Sequence, residues 1–182
     1  MPNSTRRLIV ALDPGTEWLG YCVLRPGART AEKIGAVHLK GRLFFRIGWL
    51  YDEVEKLLAA YSREPIDCVV EKAIVWGGNL ATIALAEARG AILAAIVRAK
   101  GKARPRIYEY HASSVKKGVA GRGNASKQEL AVMVRRLLSI DDSTDLQLDA
   151  TDAGGLALLH AFRGPAWGSE KADQVTTETQ EG

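Results

Sequence analysis

Cysteine and histidine are scarce in this chain of 182 residues, and so are aromatics, at 7%. Cys22 and Cys68 sit in apolar, strand-like stretches and share no metal-type spacing with His38, His111 or His160. That leaves no zinc-site or disulfide framework and predicts two buried, reduced thiols. No uninterrupted apolar run is long enough to span a bilayer, so no membrane partner is expected. The polar start, Met1 to Arg7, lacks the hydrophobic stretch of a secretory signal, and the expected compartment is the cytoplasm. Internal repeats are absent too. With 47% apolar residues the chain can build one substantial core, whereas two domains would each be left with a marginal one.

Charge is present but uneven. From Pro165 to Gly182 the acids Glu170, Asp173, Glu178 and Glu181 stand against Lys171 alone, a net of −3. The whole chain carries +4, so +7 falls on residues 1–164. The expected division is a single domain over 1–164 followed by a disordered acidic tail over 165–182. A basic body suits a polyanionic partner, because neutralising phosphates releases condensed counterions, although a basic surface alone also describes many proteins with no such partner.

The apolar pattern predicts the elements. Arg7–Asp13 is a short apolar run closed by Asp-Pro-Gly, and Trp18–Arg25 and Lys33–Lys40 follow across tight turns, giving an antiparallel meander. Leu43, Ile47, Leu50, Val54, Leu57 and Leu58 recur at helical spacing to about Tyr61. Ile66–Glu71 is a strand, apolar apart from Asp67 and its closing acid. Leu80–Lys100 is apolar around most of a helix, which fits either a central core helix or one shared with a second copy. Arg106–Tyr110 is a fifth strand, Ser113–Lys117 and Lys127–Ser139 are helical with a flexible loop Gly118–Asn124 between them, and a last helix spans Asp149–Arg163. The order predicts an α/β layer fold, a mixed sheet flanked by helices.

Carboxylates stand where such a fold could gather them. Asp13 closes the first strand, Glu71 closes the fourth, and Asp149 and Asp152 share a face at the start of the last helix. Each has a structural reading: Asp-Pro-Gly is ordinary turn chemistry, and Asp149 with Asp152 fits an N-cap and its first turn. Glu71 has no capping role, and burying it unpaired would be costly. Carboxylates brought together tolerate one another when cations sit between them, and hard oxygen ligands suit Mg²⁺ or Mn²⁺. Two such ions can activate a water and stabilise the leaving oxygen of a phosphodiester.

These residues also carry a family resemblance. Leu12-Asp13-Pro14-Gly15 with Gly20-Tyr21, Val70-Glu71-Lys72, Ala86-Glu87-Ala88-Arg89-Gly90, Val115-Lys116 with Gly121-Arg122-Gly123 and Lys127, and Asp149-Ala150-Thr151-Asp152-Ala153 resemble, in order, the motifs of the RuvC-type Holliday junction resolvases. The likeness runs from about Leu8 to Phe162. It implies the RNase H-like three-layer fold: a five-stranded mixed sheet, three antiparallel strands and then two further ones, flanked by helices. It implies a homodimer through the Leu80–Lys100 helix that makes paired nicks in a four-way junction during recombination and repair, with branch-migration partners of the RuvAB type. The metal ligands would be Asp13, Glu71, Asp149 and Asp152, holding two Mg²⁺ per subunit with Mn²⁺ able to substitute. Lys116 and Lys127 would face the scissile phosphate, and Lys116, Lys117, Arg122, Lys127 and Trp76 would contact DNA. The sequence departs from the family at Ile74, where an aromatic residue is usual; Trp76 stands two residues on.

Other readings remain open at this point. A debranching nuclease of the same fold would cut every branched DNA, and a non-catalytic junction-binding module would keep the fold without the chemistry. Asp13-Pro-Gly-Thr and Asp152-Ala-Gly-Gly also resemble the phosphate loops of an actin-like nucleotide-binding domain, in which the second loop belongs to a hairpin.

Overall fold

A computed structural model describes residues 7–72, 80–99 and 105–163. The chain runs β1 (Leu8–Pro14), β2 (Trp18–Leu24), β3 (Lys33–His38), α1 (Leu43–Ala59), β4 (Ile66–Glu71), α2 (Leu80–Arg98), β5 (Arg106–Tyr110), α3 (Ala112–Ala120), α4 (Lys127–Leu137) and α5 (Leu148–Arg163). Trp76, Ile74, Lys100 and the expected tail over 165–182 lie outside the described residues.

The strands form one sheet in the order β3-β2-β1-β4-β5. β1–β2 and β2–β3 pair antiparallel, as tight turns dictate, while β4 and β5, each reached through a helix, pair parallel. Residues along a strand alternate between the two faces. Leu8, Val10 and Leu12 of β1 and Ile66, Cys68 and Val70 of β4 pack in one core with Leu50, Val54 and Leu58 of α1 and Ile92 and Ile96 of α2. Ile9, Ala11 and Val69 face the other way, into a second core under α3, α4 and α5. The expected three-layer arrangement is the one observed. Both cysteines are free and buried, as expected, and burial pushes the Cys22 thiol up to about 12.

α2 is apolar on both sides but buried on one. Ala88, Ile92, Ala95 and Ile96 are buried in the first core, whereas Leu80, Ile83 and Val97 on its other side are exposed. Among the described residues it is the one helix whose length and hydropathy would allow a membrane crossing. Its buried face packs on the sheet instead, and Glu87 and Arg89 stand at mid-helix.

Two expected features are corrected. Gly118 belongs to α3, which runs to Ala120, so the expected loop over Gly118–Asn124 is helical in its first part. A Cβ on Gly118 would come within 2.4 Å of Leu159 Cδ1, so the glycine is there to let α3 approach α5. Asp149 lies within the first turn of α5, which starts at Leu148, and is not its N-cap.

Candidate active site

β1 and β4 run parallel with Leu12 opposite Val70, which brings Asp13 and Glu71 to neighbouring ends of the two central strands. Both follow the parity of the face covered by α5: Asp13 continues Ile9 and Ala11, and Glu71 continues Val69. α5 starts over that same end. On β2, Gly20 pairs with Asp13, and a Cβ built on Gly20 would lie 2.0 Å from the backbone oxygen of Asp149. The missing side chain therefore lets the first turn of α5 come down on β2 beside Asp13. Asp152, three residues on, shares the face of Asp149.

The result is a cleft of about 400 Å³ lined by all four acids together with Lys116 of α3 and Lys127 of α4. Ser126 and Glu129 close a capping box at the start of α4, which fixes Lys127 as its first residue. Lys127 Nζ stands 2.7 Å from Asp152 Oδ2. Lys116 and Lys127 are thus carried by two short helices, as the apolar pattern predicts. Lys117 and Arg122 are exposed outside the cleft, and Arg122 pairs with Glu129.

Electrostatics distinguish Asp13, Glu71 and Asp152 from surface carboxylates. Burial pushes the Asp13 carboxyl well above the usual range, and the charges of Asp152, Glu71 and Asp149 add to the rise, with Lys127 opposing. Burial and then Asp152 raise Glu71 against the pull of Lys127 and Lys116. Asp152 is also raised by burial, with the Lys127 hydrogen bond opposing. For Lys127 burial acts downward, but the bond to Asp152 and the charges of Asp152, Asp13 and Asp149 leave it above its ordinary value.

The expected tight convergence is met only in part. The four acids share the cleft, yet among the described residues no three Asp, Glu, His or Cys side chains form a group that could hold a metal ion. One of the four, Asp152, is held by the Lys127 ammonium. The donor set still fits a hard divalent ion: it is all oxygen, it is partly buried, and the charge of Asp13 is disfavoured by burial and by its acidic neighbours.

Sequence reasoning passed over a second set of polar groups on this face. Asp67 and His160 are buried, with His160 Nε2 3.4 Å from Asp67 Oδ2. The Tyr110 hydroxyl and His160 Nδ1 share a hydrogen bond of 2.8 Å, and the Arg7 guanidinium bonds Asp67. The one signal was an acid at odd parity inside an apolar strand. The actin-like alternative is overturned, because Asp152-Ala153-Gly154-Gly155 lies inside α5 and not in a hairpin.

Comparison with known proteins places the chain in a family. Residues 9–160 match the family described as crossover junction endodeoxyribonuclease RuvC. The RuvC of Chloroherpeton thalassium is 35% identical over 161 residues, which cover 86% of this chain and 82% of that protein. The RuvC of Pseudomonas putida is 32% identical over 157 residues, covering 85% and 86%. Two solved structures of Thermus thermophilus RuvC share the fold. One of them is in complex with a Holliday junction substrate; it aligns with a TM-score of 0.69 at 29% identity over 86% of this chain and 93% of that one. The other gives 0.68 at 26% identity over 86% and 94%. The five-stranded mixed sheet between two helical layers is the RNase H-like fold, and the chain belongs to the RuvC family of junction-resolving endonucleases.

Proposed function

We propose that this chain resolves four-way DNA junctions by divalent-ion-dependent phosphodiester hydrolysis, in recombination and repair. The observation that supports this most is the cleft that gathers Asp13, Glu71, Asp149 and Asp152 beside Lys116 and Lys127, in which the half-buried Asp13 carboxyl is pushed well above the usual range by burial and by its acidic neighbours. A purely structural acid would have a matched partner there, as Asp67 does. Asp13, Glu71, Asp149 and Asp152 would hold Mg²⁺, two ions per subunit, with Mn²⁺ able to substitute. Such ions, when bound, activate a water and stabilise the leaving oxygen of an in-line displacement.

The chain's own side chains supply the remainder. Lys127 and Lys116 face the cleft from α4 and α3, where an ammonium neutralises charge gathering on the scissile phosphate. Lys117 and Arg122, exposed outside the cleft, would contact phosphates further along the DNA. For Trp76 the stacking role rests on the sequence alone.

A homodimer through α2 belongs to the same proposal. Ile83, Ala86, Gly90, Ala94 and Val97 are exposed and recur at the three- and four-residue spacing of a helix-pairing seam, on the side of α2 away from its buried residues. A two-fold pair of clefts suits symmetric cuts in opposed strands. Cooperation with a RuvAB-type branch-migration partner rests on family membership.

The test is to incubate the purified protein and Mg²⁺ with labelled four-way, Y-shaped, flap and linear DNA. Paired symmetric nicks confined to the four-way substrate are expected. Equal cutting of every branch would replace the proposal with a general debranching nuclease, and binding without cutting in any divalent ion would leave a junction-binding module.

A further inference from the structure

The first two turns of α1 expose large aromatic side chains in a chain that has few. Phe44 is 84% exposed, Phe45 69% and Trp49 49%. They account for two of the three phenylalanines and one of the four tryptophans. Phe45 and Trp49 are four residues apart and share a face. Aromatics of this size rarely stay in water without a partner.

Their surroundings are basic at one end only. Lys40 and Arg42 are exposed just before the helix, Arg46 within it pairs with Glu17 at 3.6 Å, and the first turn of the helix holds no acid. Acids begin at Asp52, Glu53 and Glu55, a turn beyond Trp49. The patch also adjoins the acidic cleft. Arg46 donates to the Thr16 backbone oxygen at 3.1 Å and to that of Gly41 at 2.6 Å, and Thr16 lines the cleft. This hydrogen bond ties the start of α1 to the turn that follows Asp13.

We propose that Phe44, Phe45 and Trp49, flanked by Lys40 and Arg42, form a stacking platform for unpaired bases beside the scissile strand of branched DNA. This rests on the junction-nuclease reading and extends it to the opposite face of the sheet from Lys116 and Lys127. Exposed aromatic faces with adjacent cations are what single-stranded nucleic acid requires: stacking tolerates any base, and the cations track the backbone. A second copy of the chain is a poorer occupant. Two-fold pairing of this patch on itself would bring Lys40 and Arg42 against their own symmetry mates, and like charges so placed repel.

The test uses the full chain carrying Asp13→Asn to prevent cutting, with Phe44→Ala, Phe45→Ala and Trp49→Ala combined. Affinity is measured by fluorescence anisotropy on a four-way junction and on a linear duplex, with 2-aminopurine at the exchange point as a stacking reporter. The triple substitution is expected to weaken junction binding about tenfold or more, to leave duplex binding within twofold, and to remove the 2-aminopurine signal change seen with the parent. Unchanged melting temperature and oligomeric state are expected, and the conservative Trp49→Phe should keep the signal. Junction affinity within twofold of the parent would overturn the platform, as would a shift from dimer to monomer. If the Asp13→Asn parent itself does not distinguish junction from duplex, it is the junction-nuclease reading that fails.

Discussion

Asp13 is a residue whose surroundings disfavour its own charge, since burial and three neighbouring carboxylates all act against ionisation. Such a group lowers the stability of the metal-free protein unless a cation relieves it. Asp13→Asn is expected to lower cleavage by about 10³-fold or more, since ligand-held ions supply several kcal/mol of charge stabilisation. It should also raise the melting temperature of the metal-free protein, at roughly 2–4 °C per kcal/mol recovered, while shrinking the further rise on adding Mn²⁺. Calorimetry with and without Mn²⁺ checks both; a metal-free protein that melts lower after the change would show Asp13 to be a matched structural acid. Lys127 is different, because its ammonium holds the Asp152 oxygen that an ion would need. Lys127→Ala should therefore slow single-turnover cutting by about 10²–10³-fold, leave junction affinity nearly unchanged, and enlarge the Mn²⁺-induced thermal shift. Equal losses in cutting and binding would reduce Lys127 to a phosphate contact.

At the scale of elements, what positions the acids is how closely helices meet the sheet. Gly20 allows the first turn of α5 to rest on β2, and the atom that a side chain would strike is backbone, which cannot swing aside. Gly20→Ala is expected to displace Asp149, costing about 1–3 kcal/mol of stability and lowering kcat more than KM. Gly48→Ala is the control, since nothing lies near a Cβ on that exposed α1 position; it should leave kcat and KM alone and stabilise the helix slightly. A Gly20→Ala enzyme with normal kcat would show that α5 can shift without moving its acids. The strands and long helices were legible in the sequence because apolar spacing reports burial directly, and Asp13, Glu71, Asp149 and Asp152 because each closes or opens such an element. Gly118 misled because its purpose, room for Leu159, lies on another helix. The Asp67–His160 contact was illegible for the same reason: the partners are 93 residues apart. Its logic appears once α5 is seen to start over β2 beside the strand end that carries Glu71 and to bring His160 to Asp67 further down β4. Four strand residues from Glu71 to Asp67 span about 13 Å, and eight helix residues from Asp152 to His160 span about 12 Å. One acid of the strand then meets the cleft, and the other meets the histidine that anchors the far end of the helix.

For the whole molecule, the open question in the sequence was why α2 is apolar nearly all round, and periodicity alone could not assign its two sides. The structure assigns one side to the core and leaves the other exposed, with Gly90 near the middle of the helix and open space where its Cβ would be. Two copies crossing on a two-fold axis near the helix midpoint would place Gly90 close to its own mate, where a small residue lets the backbones approach. Gly90→Glu offers a clean separation of protomer from dimer. Within one chain the new side chain meets nothing and a helix-interior glycine is removed, so the protomer should fold at least as well as before. In the dimer two carboxylates would face each other in a desolvated seam, a repulsion with no compensating partner. Sedimentation should then show monomer where the parent is dimeric. If paired incision depends on the two-fold arrangement of clefts, the variant should release singly nicked junctions in place of resolved duplexes, at a rate that rises with protein concentration. A Gly90→Glu protein that remains dimeric and resolves junctions at the parental rate would place the symmetry axis elsewhere, leaving the exposed side of α2 to another partner.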